Sequence, residues 1–385
     1  MSFFTRTLQS ASPAGGDSSG DPGGIETIEF VDSSQASQEF VVGRIAVGAG
    51  NTLCYFGEPS ILGGRNLLHF PWQDLREYRD NRELGGNPLL YPWANRLAKE
   101  GFEFAGRRYD FPEQSGSQAA AASAELFWRD DHGLPLHGCL LKSDRWRTIA
   151  ADPAGDAGAR ASAPGVATHV AEQIVDASHP AFACYPFAHC LRVEHRLDRD
   201  QAGCLRMRVR TTVENRGDVS LPLSFGYHPY FSYAGFERDA VRISLPAARC
   251  FETDAGLLPT GRLLATEDLW PARQSFALAA HDIDHGFTAL ELADGGGGVV
   301  QFRLTTPEHR VTVAFGRDYP VAVIYAPYDS DPGRQAAQEF VCFEPMLAPT
   351  NALGFDLSDS EWPSPPVLAP GDRFSAEFWI TADAI

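Results

Sequence analysis

The sequence predicts an all-β protein built as one large antiparallel β-sandwich. Apolar and polar residues alternate through residues 189–197 and 207–213, as in strands with one buried face and one hydrated face. The 36 glycines and 27 prolines fall between short apolar runs, where turns are expected. No long stretch has the 3.6-residue periodicity of an amphipathic helix. These three observations favour a sheet protein over a helical or mixed one.

The chain is expected to begin with a tail and then to enter the sandwich. Residues 1–24 are rich in Ser, Gly, Ala and Pro, and we predict a disordered N-terminal tail there. No clear linker interrupts residues 25–385, so we predict a single domain over that range. Its first strands are expected at 27–31 and 40–47, with turn residues between them.

The middle of the chain interrupts the strand pattern. Residues 85–97 contain two prolines and two glycines, which predicts a constrained loop, and loops often carry function. A hairpin is expected at 102–111. The alanine-rich run 118–126 predicts a short helix, and the Ala/Gly/Pro-rich residues 151–167 predict a surface loop.

The second half is predicted to consist mainly of strands. Leu191, Val193 and Leu197 share one face of the first strand with His195, which we therefore interpret as a core histidine. Further strands are predicted at 241–245, 299–304, 311–315, 321–325, 339–343 and 374–380.

Composition excludes several functional classes. A formal net charge of −18 disfavours partners such as nucleic acid or an anionic membrane surface. The seven cysteines are scattered without a CxxC pair, which indicates reduced thiols in a cytoplasmic protein. We find neither the apolar region of a signal peptide nor an apolar run long enough for a membrane helix.

Motifs for cofactors are also missing from the sequence. It has no nucleotide-binding glycine motif, no P-loop and no nucleophile-elbow serine. His132 and His137 lie close together, but no third ligand follows at the spacing of a metal site. We therefore expect no cofactor and no metal.

A histidine between aromatic residues is the first candidate catalytic residue. His228 lies within 224–231, directly after an alternating run, and Pro229 stiffens the backbone behind it. We predict that a strand ends here and presents the imidazole at the rim of a sheet. Histidine titrates near neutral pH and so suits proton transfer. A hydrogen-bonded histidine in an aromatic core is the alternative interpretation.

A second stretch has the same form, with a carboxylate in place of the imidazole. Glu344 follows an apolar run and precedes Pro345, which predicts a second strand end. A buried glutamate is costly unless it has a partner, and desolvation raises its pKa, which makes it a better base. With His228 it would supply the acid and base of general acid–base catalysis. A salt-bridged glutamate at a strand end is the alternative.

Three further residues are candidates for holding a polar ligand. Arg96 closes the 85–97 loop, and its guanidinium suits vicinal hydroxyls or a carboxylate. His137 precedes Gly138, which permits a close backbone approach. Asp284 carries a carboxylate that accepts hydrogen bonds from hydroxyls, although its Asp/His/Gly surroundings are more typical of a turn.

The sequence resembles the aldose 1-epimerase (galactose mutarotase) family. An N-x-G-D turn of the family is similar to Asn215–Asp218, and the likeness extends over about residues 40–380 in the family's order. Four short segments in that order make the resemblance specific: 86–97, 136–138, 225–231 and 343–346.

The resemblance implies a galactose mutarotase-like supersandwich that binds a sugar in an open cleft. Its chemistry is the interconversion of the α and β anomers of a free hexose. By matching motif, Glu344 would be the general base and His228 the general acid. The implied partner is a small-molecule sugar, bound by a monomer or homodimer. Its hydroxyls would be held by Arg96, Asn95, His137 and Asp284.

The resemblance also suggests where the sugar would rest and where this chain departs from the family. Trp93 or Tyr230 would offer a flat apolar surface to the C–H face of a sugar. Residues 114–131 and 151–167 look longer than the family core requires, so they are candidates for altering the cleft and its sugar preference.

Two other functions stay open at this point. A hexose-6-phosphate 1-epimerase of the same superfamily needs a cationic pocket for the phosphate. A non-catalytic carbohydrate-binding protein on the same fold is the other, because fold does not fix function. Binding alone needs no acid–base pair, which favours the enzyme. The arginines that would serve a phosphate are Arg65, Arg76, Arg79 and Arg82.

Overall fold

The structure, a computed structural model, confirms the all-β antiparallel sandwich. Its described residues are 3–9, 25–35, 38–112, 127–151, 165–270, 274–293, 298–331, 334, 338–355 and 361–385. Nearly all of their regular elements are β-strands, arranged in antiparallel sheets. The helix predicted at 118–126 and most of the loop predicted at 151–167 lie outside the described residues.

The largest sheet forms one wall of the sandwich. Residues 191, 193, 195 and 197 are buried in it, which confirms the predicted alternation and the core position of His195. Within the described ranges its nine strands are, in spatial order, β10 (Arg147–Ala151), β11 (Ala167–Val175), β12 (His189–Arg199), β13 (Leu205–Asn215), β27 (Arg373–Ala384), β23 (His309–Phe315), β22 (Val300–Thr305), β17 (Arg242–Ile243) and β20 (Phe276–Ala277).

The second large sheet forms the opposite wall. The strands predicted at 321–325 and 339–343 are its central members. In the described part of the chain its eight strands are β19 (Pro259–Ala265), β18 (Ala247–Thr253), β21 (Ile283–Leu290), β24 (Val321–Ala326), β25 (Phe340–Met346), β15 (Gly226–Tyr227) and β5 (Leu89–Leu90) in spatial order, with β16 (Tyr230–Ser232) also paired to β25.

A third sheet corrects the prediction of a disordered tail over residues 1–24. Phe3 and Thr5 are buried and Arg6 pairs with Glu29, so this short segment alternates between core and solvent as a strand does. The Ser/Gly/Ala/Pro composition of the whole stretch masked that alternation, and residues 10–24 lie outside the described residues. The sheet consists of β1 (Phe3–Gln9), β2 (Glu26–Gln35), β3 (Gln38–Ala46) and β4 (Thr52–Phe56).

The remaining elements are short. The hairpin predicted at 102–111 is confirmed and turns at Gly106, whose φ of 74° favours glycine. No helix in the described stretches is both long enough and apolar enough to cross a membrane. The paired strands are β6 (Gly101–Phe104) with β7 (Arg107–Asp110), β8 (Trp128–Arg129) with β9 (Pro135–Leu136), and β14 (Leu221–Pro222) with β26 (Val367–Leu368). The helices are α1 (Leu75–Asp80), α2 (Thr266–Leu269) and the 3-10 turns Leu62–Gly64, Pro180–Ala183 and Arg238–Ala240.

The two large sheets face each other across a continuous apolar core. The rings of Phe302 on β22 and Phe343 on β25 lie 5.7 Å apart, and those of Tyr227 on β15 and Phe378 on β27 lie 4.8 Å apart. Since successive side chains of a strand point to opposite faces, Glu344 lies on the side of β25 that faces away from this core.

The strand break predicted at His228 is confirmed, whereas the one predicted at Glu344 is wrong. His228 follows the last residue of β15 and precedes β16, and both strands pair with β25. Glu344 lies inside β25 opposite Val323, and the strand continues through Pro345 to Met346. Proline removes one donor from the ladder, and pairing to β24 on one side and β15 on the other keeps β25 extended through it.

Gly226 sets the distance between the strand that leads to His228 and the strand that carries Glu344. A Cβ at this position would lie 2.8 Å from the Pro345 carbonyl oxygen and 2.9 Å from Met346 Cγ. We expect Gly226→Ala to lower the free energy of unfolding by about 1–3 kcal/mol, because β15 and β25 must move apart. Urea unfolding measures this. Gly316→Ala is the control, since a Cβ there meets nothing within 4 Å, and equal stability of the two variants would contradict the prediction.

Candidate active site

A cavity of about 300 Å³ opens on the face of the second sheet away from the core. The six residues expected to perform catalysis or to hold the sugar hydroxyls all line it. Its walls come from the second sheet, from the loop that precedes β6 and from the segment around β8 and β9. The lining residues are Arg82, Leu84, Asn95, Arg96, Trp128, Arg129, Leu136, His137, His228, Tyr230, Asp284, Tyr325 and Glu344.

Two of the lining residues, His228 and Glu344, contact each other. Nε2 of the imidazole lies 3.3 Å from Oε1 of the carboxyl group, and the two residues are 5% and 1% exposed. The ring of Tyr230 stacks on His228 with centroids 4.3 Å apart and an interplanar angle of 5°. The backbone N–H of His228 donates to the Pro88 carbonyl at 3.1 Å. The imidazole is therefore fixed by its neighbours before any ligand binds.

Burial shifts the pKa of both members of this pair towards their neutral forms. Desolvation raises the pKa of Glu344 well above its usual value, Asp284 raises it further, and Arg96 opposes the rise. Desolvation lowers the pKa of His228 to about 3. A carboxyl group and an imidazole in such contact can exchange a proton between Oε1 and Nε2.

Several polar atoms of the residues that line the cavity have no hydrogen-bond partner in the described part of the chain. Oε2 of Glu344 and Nδ1 of both His228 and His137 are buried and have no hydrogen-bond partner among the described residues. Burial lowers the pKa of His137 well below its usual value, and His228 and Arg96 add to this effect. Buried polar groups normally have partners, so these atoms indicate a ligand that offers several donors and acceptors.

The loop that carries Asn95 and Arg96 is shaped by its own amide side chain. Asn95 has a left-handed φ of 58°, and its Oδ1 accepts from the backbone N–H of Arg96 at 2.9 Å and from Arg96 Nη1 at 3.0 Å. His137, also left-handed with a φ of 62°, donates its backbone N–H to the Asn95 carbonyl at 2.9 Å. This bond joins the two segments that face His228.

Arg96 is held by an aspartate that the sequence analysis missed. Arg96 Nε lies 2.6 Å from Asp130 Oδ2, and the two side chains are 14% and 6% exposed. Burial acts to raise the pKa of Asp130, but the hydrogen bond and charge of Arg96, together with the backbone N–H groups of Leu134 and His132, outweigh it and the net shift is downward. Asp130 also accepts the backbone N–H groups of His132 and Leu134. The ion pair aims the guanidinium at the cavity.

Asp284 lies in a strand and not in the turn that its surroundings suggested. It is part of β21, opposite Tyr325 of β24. Burial raises its pKa, while Arg96 and His285 oppose the rise. Asp284 and Glu344 are thus two carboxyl groups on one wall, and each is less acidic than an exposed carboxyl group.

The aromatic surface expected from Trp93 is wrong. Trp93 is fully buried and stacks on Phe111 at 5.0 Å, whereas Trp128 and Tyr230 line the cavity. In the sequence, Trp128 and Asp130 are distinguished only by lying shortly before His137. That position does not predict a functional residue, because it is equally typical of an ordinary loop.

The arginines considered for a phosphate site are dispersed. Arg82 lines the cavity. Arg76 and Arg79 pair with neighbouring aspartates, and Arg65 donates to a backbone carbonyl. In the described residues, no group of three His, Cys, Asp or Glu side chains is placed to hold a metal ion.

Fold and site together define a β-sandwich protein whose cavity combines a contacting histidine and glutamate with further polar and charged side chains. The chain belongs to the aldose 1-epimerase family, whose sequence model matches residues 64–381. This membership also confirms the family resemblance seen in the four short segments.

Comparisons with single proteins agree with the family and define the fold. An uncharacterised protein of Escherichia coli K12, YihR, is 25% identical over 272 residues, which cover 70% of this chain and 72% of YihR. A galactose mutarotase-like protein from Clostridium acetobutylicum has a TM-score of 0.72 at 17% identity, with 99% of each chain covered. A galactose 1-epimerase from Lactobacillus acidophilus has a TM-score of 0.67 at 16% identity, with 100% of this chain and 99% of that chain covered.

The buried Arg96–Asp130 pair is predicted to contribute to stability as well as to orientation. Asp130→Asn keeps a side-chain oxygen that accepts the backbone N–H groups of His132 and Leu134, but it leaves the Arg96 guanidinium beside a neutral amide. We expect a loss of about 1–3 kcal/mol in the free energy of unfolding, measured in urea. Asp383→Asn breaks the more exposed pair with Arg310 and should cost less than about 0.5 kcal/mol. Equal losses in the two variants would contradict the account of a buried pair.

Proposed function

We propose that this protein is an aldose 1-epimerase that interconverts the α and β anomers of a free hexose by general acid–base ring opening. The observation that carries the proposal is the contact between the buried residues His228 and Glu344 at 3.3 Å, in the wall of a cavity lined by polar side chains. An imidazole and a carboxyl group that share a proton can remove a proton from one sugar oxygen and supply one to another.

The reaction balances without any other reactant. One member of the pair removes the proton of the anomeric O1 hydroxyl while the other donates a proton to the ring oxygen O5. The C1–O5 bond breaks and the C1–O1 bond becomes a carbonyl, which gives the open-chain aldehyde. Rotation about C1–C2 presents the other face of the carbonyl. O5 then attacks C1, and both protons return.

The family's motif assigns the base to Glu344 and the acid to His228. The pKa shifts favour one proton on the pair as a whole, which is the number that the reaction needs. The nearby carboxyl group of Asp284 disfavours a negative charge on Glu344, whereas the guanidinium of Arg96 favours it. We infer that a bound sugar hydroxyl replaces part of the Glu344–His228 contact and so separates acid from base.

Three polar residues would hold the sugar hydroxyls around the pair. Arg96 offers guanidinium donors fixed by Asp130, and His137 offers a neutral imidazole. Asp284 would accept from hydroxyls. The Oδ1 atom of Asn95 already accepts two hydrogen bonds from Arg96, so we assign this residue chiefly to shaping the loop. A firmly placed set of groups of this kind supplies rate by orientation as well as by binding.

The free-sugar proposal is preferred over the two alternatives. A phosphate pocket would need several convergent cations. Arg82 faces the cavity, whereas Arg129 beside it is bound to Glu100 and so is largely neutralised. A carbohydrate-binding protein without activity would gain nothing from burying two ionisable groups in contact, since burial of such groups costs free energy.

Substitution of Glu344 is expected to abolish most of the activity. Glu344→Gln keeps the shape of the side chain but cannot exchange a proton. Polarimetry on freshly dissolved α-glucose and α-galactose should show wild-type acceleration of mutarotation that falls by at least about 10²-fold in the variant. His228→Gln should have a loss of similar size.

The control is Glu172→Gln, which changes a buried glutamate in the other large sheet and should retain activity. Unchanged acceleration in Glu344→Gln would contradict the assignment of the base. No acceleration of either sugar, with turnover of a hexose 6-phosphate, would favour the phosphate alternative. Sugar binding without any turnover would favour the binding protein.

The pH dependence of the activity should reflect the shifted pKa values. The one-proton pair is lost at low pH when His228 gains a second proton, and its pKa is lowered to about 3. The pair is lost at higher pH when Glu344 releases its proton, and that pKa is raised. We therefore expect kcat/KM at pH 5 to be at least about half of its value at pH 6.5. An acid limb centred near the ordinary histidine pKa of about 6.5 would contradict the account.

A further inference from the structure

Lys142 is a buried cation outside the acid–base pair. The sequence has two lysines, Lys99 and Lys142. Lys99 is exposed, whereas Lys142 is 8% exposed. The Lys142 ammonium donates to the backbone carbonyls of Tyr78, Asn81 and Glu83 at 2.6, 2.6 and 2.7 Å. All three protons of the ammonium therefore have an acceptor, a complete set for a lysine.

Three aromatic rings enclose the same ammonium. Its nitrogen lies 4.2 Å from the ring centroid of Tyr78, 5.1 Å from that of Trp128 and 5.7 Å from that of Trp72. Cations are attracted to ring faces at such distances, and more strongly when they are desolvated. The lysine thus contacts α1, the segment after α1 and β8 at once.

These contacts connect two separate parts of the cavity wall. Asn81 and Glu83 flank Arg82 in the sequence, and the ammonium binds the carbonyl of each. It therefore holds the backbone on both sides of Arg82, which lines the cavity, as does the next residue, Leu84. Trp128, on the other segment, lines the cavity as well.

We propose that Lys142 is a positioning residue that holds Arg82, Leu84 and Trp128 in place as one wall of the sugar-binding cavity. This proposal rests on the proposed function for its kinetic readout. Lys142 is not among the residues that line the cavity, so its effect should fall on binding of the sugar and not on proton transfer between His228 and Glu344.

The protonation state of Lys142 offers a separate readout. Burial lowers the pKa of the ammonium to about 8, while the carboxylates of Glu83 and Asp80 oppose the shift. Trp72 and Trp128 bring no charge, burial raises the pKa of Tyr78 so that its phenol stays neutral, and Arg129 is paired with Glu100. The protonated form is present below pH 8. Above it, a neutral amine has two donors for three carbonyls, and the wall should loosen.

The kinetic test compares Lys142→Met with Lys99→Met. Methionine keeps the apolar stem and removes the charge, and water can reach the released carbonyls of Asn81 and Glu83 because both residues are exposed. We expect KM for the sugar to rise about tenfold with kcat within about twofold of wild type, and Lys99→Met to match wild type. In wild type KM should rise between pH 7.5 and 9, and in Lys142→Met it should not. A fall in kcat at unchanged KM would overturn the proposal.

A measurement on the wild-type chain holds even where Lys142→Met fails to fold. In protein labelled with ¹⁵N-lysine, NMR gives two side-chain nitrogen signals, and Lys99→Met assigns them. The Lys142 signal should titrate near pH 8 and shift on addition of glucose or galactose at pH 7.

The NMR experiment also separates the two proposals. A protein that binds sugar and shifts the Lys142 signal without epimerising it would refute the proposed function and support the wall. A Lys142 signal that does not respond to a sugar which the protein turns over would refute the wall and leave the function intact.

Discussion

The structure depends on one costly arrangement, an ionisable pair buried on the outer face of a sheet. Glu344 is 1% exposed, and the imidazole of His228 lies 3.3 Å from its carboxyl group. The attraction within such a pair does not offset the free energy lost by removing both groups from water, so the surrounding fold must hold the pair in place. β25 supplies that support, because it pairs with β24 on one side and with β15 and β16 on the other.

The walls of the cavity are assembled from segments that have little regular structure of their own. Asn95 and His137 both adopt left-handed backbone conformations and are joined by a backbone hydrogen bond. Arg96 is fixed by Asp130, and Lys142 connects the segment after α1 with β8. Fixed side chains around the His228–Glu344 contact are what the proposed reaction, which depends on orientation and proton transfer, requires.

The sequence predicted the strands well because period-two alternation is a direct record of burial. It also predicted the strand break at His228, since a proline between aromatics marks one. Glu344 was singled out for its chemistry, but the strand end predicted there is wrong, because pairing on both sides carries β25 through Pro345. Asp130 could not be found, since its importance arises from a contact with Arg96 across 34 positions of sequence. Phe3–Gln9 was missed because composition was averaged over a longer stretch.

The most direct test of the central claim observes anomer exchange at equilibrium. Two-dimensional ¹H exchange spectroscopy on a sugar solution resolves the H1 signals of the α and β anomers. Cross-peaks between the two signals report interconversion of the anomers within the mixing time. With wild-type protein we predict cross-peaks that are absent without protein and absent with the variant that combines His228→Gln and Glu344→Gln. Cross-peaks of equal strength with the double variant would contradict the claim that this buried pair performs the reaction.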